Sequence, residues 1–425
     1  MTQHRTLPAL LPLAALAAGA LISCSEPPPP PPPETPALAH VRLGVDRLAD
    51  TLPAALVAKN VGLITNHTGA DREGKSTIDV LAARTDMKLV ALFAPEHGIR
   101  GTESGTIETV TDSATGLLVH SLYGETRQPT AEMLEGVDAL VFDIQDVGAR
   151  QYTYPSTMAY GMKAAAEKGI PFVVLDRPNP VTGSIVEGNI LDTTYASFVG
   201  LYPIASRHGM TVGELAMMHN ELFRIGADVY VVLMEGWTRD LWMDQTDLPW
   251  KGPSPNLPYF EGTIHYPGTV LFEGTSLSEG RGTERPFEYI GAPWLKAQEM
   301  ADSMNAMALP GVRFEALDYT IVASGRKYGG ELAHGVRFVA TDRNAYRPIT
   351  ATLLFMELAK RLHPDDFTFR SGGGDGRPVT YSLDRLSGTD QTRAAIDAGT
   401  VRDLLARWAE DEARFIGMRK PYLLY

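Results

Sequence analysis

Ala139-Leu140-Val141-Phe142-Asp143-Ile144-Gln145-Asp146 is an apolar run that turns abruptly polar. A half-exposed strand alternates apolar and polar residues. This one is apolar on both faces, so both faces must be covered. The same pattern recurs at 61–65, 89–93, 172–175 and 229–234. Helical stretches are expected between these runs at 76–84, 130–134, 160–168 and 211–223. Short strands buried on both sides and separated by helices define an α/β fold with a Rossmann-like, mostly parallel sheet. Thr211 and Glu214 form a capping box ahead of Leu215, Met218 and Leu222. Glu214 therefore reads as a structural cap.

Each run empties into polar residues at its carboxyl end. Asn66-His67-Thr68-Gly69 follows the first, Ala94-Pro95-Glu96-His97-Gly98 the second, and Asp176-Arg177-Pro178-Asn179-Pro180 the fourth. In open α/β sheets ligands bind outside those ends. Four consecutive strand ends of this kind point to one converging site.

Beyond 252 the pattern changes. Residues 252–291 read as a long loop, and its aromatics Tyr259, Phe260, Tyr266 and Phe272 argue that it is packed. A helix at 294–307, strands at 314–322 and 336–341, a helix at 350–362 and a terminal helix near 401–415 follow. That order is a smaller α+β domain. Ser371-Gly372-Gly373-Gly374-Asp375-Gly376 reads as a mobile loop. At roughly 100–200 residues per domain, 425 residues allow two or three. The boundaries expected are 41–290 for the Rossmann-like domain and 291–425 for the α+β domain.

The start of the chain reads as a sorting signal. Arg5 precedes an apolar run from Leu7 to Ile22 that is too short for a comfortable membrane span. It ends in Ser23-Cys24, and Cys24 is the one cysteine in the chain. A small residue before a lone cysteine resembles a bacterial lipobox, which implies cleavage at 1–23 and lipidation of Cys24. Seven prolines, Pro27 to Pro33, then form an extended spacer within a tether at 24–40. Ser25 after the cysteine, by resemblance to diderm lipoproteins, points to the outer membrane and a periplasm-facing domain.

Charge and missing motifs narrow the chemistry. With 38 basic and 51 acidic residues the net charge is −13, which opposes nucleic-acid binding and cationic contact with anionic lipid. Membrane attachment is thus expected only through the lipid anchor. A single cysteine excludes an intrachain disulfide and a thiolate metal cage. There is no Gly-x-Gly-x-x-Gly, Walker loop, Gly-x-Ser-x-Gly elbow or His-Glu-x-x-His. His97, His208, Asp143 and Asp146 match no standard metal-ligand spacing, so neither a metal nor a cofactor is expected.

What remains is a set of carboxylates, arginines, amides and aromatics on sheet-edge loops, which suits carbohydrate chemistry. Glycosidic cleavage needs an acid at the leaving oxygen and stabilisation of an oxocarbenium-like centre. Glu96, just past an apolar strand, is the best acid candidate, with His97 as its partner or a substrate contact. The plainer alternative makes Glu96 a helix cap or a partner of Arg100. Asp143 and Asp146, beside Gln145, are candidates for the second carboxylate, for sugar hydroxyls, or for an ion pair with Arg150. Tyr152 and Tyr154 share a face if extended, to stack on a sugar or pack in the core. Arg177 and Asn179 are suited to a carboxylate or an amide. Arg281 lies between glycines and can grip a carboxylate bidentately, unless Glu273 or Glu279 neutralises it.

These motifs also carry a resemblance. Val61-Gly62-Leu63-Ile64-Thr65-Asn66-His67-Thr68-Gly69, Pro95-Glu96-His97-Gly98 and the 143–154 segment resemble the NamZ-type exo-β-N-acetylmuramidases. So do Asp176-Arg177-Pro178-Asn179-Pro180, Arg207-His208-Gly209-Met210-Thr211, Pro253-Ser254-Pro255-Asn256, Glu273-Gly274-Thr275, Ser278-Glu279-Gly280-Arg281-Gly282-Thr283 and the terminal Tyr422-Leu423-Leu424-Tyr425. The resemblance runs from about 41 to the end. It implies a glycoside hydrolase releasing N-acetylmuramic acid from the non-reducing end of peptidoglycan fragments, with its site in a cleft between two domains. It makes Glu96 the catalytic acid and Arg385, in Asp384-Arg385-Leu386, a basic residue closing the cleft. Ile204-Ala205-Ser206 departs from the expected proline-containing turn.

The resulting site comprises Glu96, His97 and Asp143 for catalysis. Asn66, Arg100, Gln145, Asp146, Arg150, Tyr152, Tyr154, Arg177, Asn179, His208, Glu273, Glu279, Arg281 and Arg385 are expected on the substrate. Two other classes stay open: a non-catalytic muropeptide-binding lipoprotein, and a metal-dependent cell-wall esterase or amidase.

Overall fold

The computed structural model describes residues 1–2, 37–100, 109–374 and 377–425. Cys24, the proline run and the lipobox lie outside the described residues. In chain order the strands are β1 (Asn60–Thr65), β2 (Lys88–Ala94), β3 (Val110–Thr111), β4 (Leu118–Ser121), β5 (Ala139–Asp143), β6 (Pro171–Leu175), β7 (Glu187–Ile190) and β8 (Ala205–Arg207). They continue with β9 (Asp228–Val232), β10 (Tyr289–Ala292), β11 (Val312–Thr320), β12 (Leu332–Ala340), β13 (Ser371–Gly374) and β14 (Arg377–Tyr381).

A seven-stranded sheet runs in the order β3-β4-β2-β1-β5-β6-β9. Every pairing is parallel except β3 with β4. The five apolar runs are five of its strands, and their double-sided hydrophobicity has a direct cause. Leu140, Phe142, Phe172 and Val174 pack on one face, against Met158, Met162, Leu215 and Met218. Their sequence neighbours Ala139, Val141, Val173 and Leu175 pack on the other, against Val41, Val45 and Leu48. Truncating Phe142 or Phe172 to Ala would cost about 3–5 kcal/mol. Helices Thr77–Ala82, Thr153–Lys168 and Val212–Leu222 supply crossovers. Thr211 and Glu214 close the expected capping box, and Glu214 also pairs with Arg239. Residues 131–136 form turns instead of the helix expected at 130–134.

The C-terminal part carries a three-stranded antiparallel sheet in the order β10-β12-β11, with helices Ala297–Ala306, Pro348–Leu362 and Val401–Arg419. The chain is therefore a mostly parallel Rossmann-like sheet followed by an α+β region. Two sequence expectations need correction. The 252–291 stretch contains a helix, Phe260–Thr269, hidden by Pro267 within it. Its Gly268 lies so close to helix Pro348–Leu362 that a Cβ would meet the Pro348 carbonyl oxygen at 2.1 Å. Residues 371–374 are not a loop: they form β13, which pairs antiparallel with β14.

Candidate active site

Strand order reverses at β1, where β2 and β4 lie to one side and β5, β6 and β9 to the other. The carboxyl ends of β1, β2 and β5 thus meet where such sheets bind ligands. A cavity of about 480 Å³ opens there, within the range of small-molecule sites.

Glu96 lines this cavity on the turn after β2. Thr153 Oγ1 donates to Glu96 Oε2 at 2.8 Å. The Tyr123 hydroxyl also bonds Glu96; burial first, and then the Glu96 charge, push that phenol up to about 12. It therefore stays a neutral donor. His97 lines the same cavity and has φ +71°, followed by Gly98 at the same angle. A left-handed non-glycine residue costs on the order of 1–3 kcal/mol and is held only where its surroundings over-determine it. This turn fixes the direction in which Glu96 points.

The cavity is also lined by Glu273, Arg281, Tyr266 and Phe287. Arg281 Nη2 binds Glu273 Oε1, Arg281 Nε lies 3.2 Å from Glu279 Oε1, and the guanidinium covers the Phe287 ring at 5.2 Å. Behind it Lys327 Nζ donates to Glu279 Oε2 at 2.9 Å. Burial raises the Glu279 carboxyl, but Lys327 and Arg281 outweigh it and hold the group below its ordinary value. Tyr152 stands edge-on to both Tyr154 and Tyr266, with centroids at 4.9 and 5.5 Å.

The structure sorts the expected residues into those that line the cavity and those that do not. Glu96, His97, Tyr152, Glu273 and Arg281 line it; Arg385 lines an adjoining chamber of about 280 Å³. Asp143 does not. It is fully buried, takes Arg177 Nε at 2.5 Å and Nη2 at 2.8 Å, and accepts from Thr77. Asn66 brackets the neighbouring turn, donating to Tyr154 Oη at 2.8 Å and accepting from the Thr68 amide at 2.9 Å. Tyr154 donates to the Pro253 carbonyl at 2.8 Å. Tyr152 caps a helix and Tyr154 lies within it, so the pair is not extended: one ring reaches the cavity and the other is turned inward.

Gln145 donates to the carbonyls of Asp146 and Pro178. Asp146 accepts from the Gly148 amide at 2.8 Å and lies 3.5 Å from His208 Nε2. His208 Nδ1 accepts from the Met210 amide, so the ring proton sits on Nε2 facing Asp146. Asn179 bonds Met210 and Val181. It packs so tightly that a Cβ on Gly148, at φ +78°, would meet Asn179 Oδ1 at 2.5 Å.

Arg150 pairs with neither Asp143 nor Asp146. Its buried guanidinium donates to the carbonyls of Asn189, Ile204 and Ser387. Arg100 is exposed and pairs with Asp112 at 2.6 Å, not with Glu96. Glu279 is buried behind Arg281 and not on the cavity surface.

The cavity also contains groups that sequence reading passed over. Tyr123 and Arg127 follow β4, whose Leu-Val-His-Ser pattern is not a continuous apolar run. Thr153 sits inside a quoted motif between two tyrosines. Gln151 donates to Ser206 Oγ at 2.6 Å and to the Leu386 carbonyl. Here Ser206 lies in β8, which pairs with β7.

A cavity at the switch point of a Rossmann-like sheet, lined by carboxylates, arginines and tyrosines, is the setting of a glycoside hydrolase. The chain belongs to the exo-β-N-acetylmuramidase NamZ family: the family's N-terminal model matches residues 61–261 and its C-terminal model residues 264–425. It is 45% identical over 388 residues to the peptidoglycan beta-N-acetylmuramidase NamZ of Bacillus subtilis (strain 168), covering 91% of each chain. Two crystal structures of DUF1343-family proteins from Bacteroides fragilis NCTC 9343 share the fold. One superposes with a TM-score of 0.81 at 36% identity, the other with 0.71 at 33%. Each match covers 91% of this chain and 99% of the other.

Proposed function

We propose that this protein is an exo-β-N-acetylmuramidase that releases N-acetylmuramic acid from the non-reducing end of peptidoglycan fragments, with Glu96 as general acid and base. The observation that carries this reading is the placement of Glu96. It is a cavity-lining carboxyl bonded by Thr153 and Tyr123, in a cavity that a second carboxylate, Glu273, also lines. Among the described residues these are the two acidic side chains that line the cavity.

In this reading Glu96 gives its proton to the glycosidic oxygen as the bond to the anomeric carbon breaks. Positive charge then develops on the sugar ring, and Glu273, held in place by Arg281, lies on the wall that stabilises it. Tyr152, Tyr266 and Phe287 offer apolar and π surface to the ring faces. Glu96, now a carboxylate, takes a proton from the incoming water. The reading also includes export as a lipoprotein lipidated at Cys24, anchored in the outer membrane and facing the periplasm. Labelling with a fatty-acid probe, lost on Cys24→Ala, tests that part.

Incubation with a defined N-acetylmuramyl-N-acetylglucosamine disaccharide, followed by NMR, tests the activity. Release of N-acetylmuramic acid with one initial anomer supports the reading. Tight binding without release would instead make the protein a muropeptide receptor.

A further inference from the structure

Muramic acid differs from other hexosamines in its lactyl carboxylate, and the structure restricts which cations can meet it. Arg177 is taken by Asp143, and Arg281 is held between Glu273 and Glu279. Neither is available without breaking an ion pair, which leaves Arg127 and Arg326 as the other arginines lining the Glu96 cavity. The chamber beside the Glu96 cavity is different. It shares Arg127, Phe198, Glu273 and Leu386 with that cavity and is also lined by Arg370 and Arg385.

None of these three arginines has a carboxylate partner among the described residues. The Arg127 guanidinium lies 4.2 Å from the centre of the Phe198 ring, a cation–π contact on the chamber wall. Arg370 makes one 3.4 Å bond to the Glu273 carbonyl, and Arg385 one 3.5 Å bond to Thr380 Oγ1. The one carboxylate in the lining, Glu273, is already neutralised by Arg281. In a chain of net charge −13, three uncompensated cations around one small chamber form a local positive field. Planar guanidiniums recognise carboxylates through paired charge-assisted bonds.

We infer that the chamber formed by Arg127, Arg370 and Arg385 is a carboxylate subsite that selects saccharides carrying a free lactyl carboxylate. This deepens the muramidase reading and rests on it. Arg127 and Arg370 are specificity determinants, acting on substrate capture while Glu96 acts on the bond. The carboxylate has two sources: the muramoyl unit being released, or the next muramoyl unit along a longer glycan.

The test compares a free-acid disaccharide with its lactyl methylamide, and a free-acid tetrasaccharide with one amidated at the internal muramoyl unit alone. The enzymes are the wild type and the variants Arg127→Met, Arg370→Met and the double variant, with folding checked by circular dichroism melting. The wild type is expected to prefer acid over amide in kcat/KM by about tenfold or more, and the double variant to lose most of that preference, chiefly through KM. Preference within the disaccharide pair assigns the subsite to the released sugar. Preference confined to the tetrasaccharide pair assigns it to the following unit. Equal cleavage of acid and amide at both lengths, or a preference undiminished in the double variant, overturns the inference. Cleavage by the wild type separates the two levels: no cleavage of any muramide defeats the muramidase reading, whereas cleavage without discrimination defeats the arginine subsite alone.

Discussion

Thr153 Oγ1 holds Glu96 Oε2 at 2.8 Å, joining the turn after β2 to the first turn of the helix after β5. Two crossovers of the sheet thereby set one carboxyl. Thr153→Val keeps the shape and removes the donor, and Tyr123→Phe does the same on the other side. Each is expected to lower kcat by about tenfold with little change in KM, because a lost hydrogen bond is worth about 0.5–1.5 kcal/mol. Steady-state kinetics check this; an unchanged kcat would show that neither hydroxyl orients the acid.

Glu279 is buried between Arg281 and Lys327. Glu279→Gln would leave the buried Lys327 without its carboxylate and Arg281 with Glu273 alone. Breaking a buried pair from one side costs about 3–5 kcal/mol. Urea unfolding should register a loss of that order, together with lost activity as Arg281 shifts on Glu273. Wild-type stability in Glu279→Gln would refute the account of this wall.

The last residue acts as a bolt. Tyr425 Oη donates to Asp176 Oδ2 at 2.8 Å, accepts from the Met234 amide at 2.9 Å, and its ring stands edge-on to Trp237. Tyr425→Phe leaves the Met234 amide without this acceptor and removes one of the donors to Asp176, which keeps Thr211 and Gly213, and should cost about 1–3 kcal/mol by denaturant unfolding. Removing the residue altogether should cost more.

Burial pushes the Glu187 carboxyl up to about 7, against the Thr350 amide and Arg207, which both lower it. The folded state therefore binds this proton more tightly than the unfolded chain, whose glutamate has a pKa of about 4.3. Its stabilising contribution is full below the unfolded value and is lost as pH rises toward 7. Glu187→Gln, neutral at every pH, should remove this slope, so the variant gains on the wild type by on the order of 1–3 kcal/mol between pH 4 and pH 8. Parallel stability curves for the two proteins would contradict the assignment.

Some of this was legible in the residues and some was not, for physical reasons. The sheet was legible because Phe142 and Val141 must both be buried, and a strand covered on both faces has no polar side. Glu96 was legible because it directly follows such a strand. Asp143, Asn66, Arg177 and Asn179 stand at strand ends in the same way, yet Asp143 and Arg177 pair with each other, Asn66 bonds Tyr154 and Thr68, and Asn179 bonds Met210 and Val181. A polar strand end looks alike whether it saturates itself or waits for a ligand. Tyr123 and Arg127 escaped notice because β4 pairs with the short β3 on one side and interleaves His120 and Ser121 with apolar residues. The helix Phe260–Thr269, which brings Tyr266 to the site, was hidden by Pro267.

The central claim is that the Glu96 proton is delivered to a glycosidic oxygen, and Glu96→Gln tests it most directly. The variant keeps the size and hydrogen-bonding reach of the side chain while removing the acid. On the muramyl disaccharide its kcat should fall by about 10²–10⁴-fold. On an activated 4-nitrophenyl muramide, whose leaving group needs no proton, the fall in the bond-breaking step should be smaller. Disaccharide cleavage by a correctly folded Glu96→Gln enzyme at the wild-type rate would contradict the account.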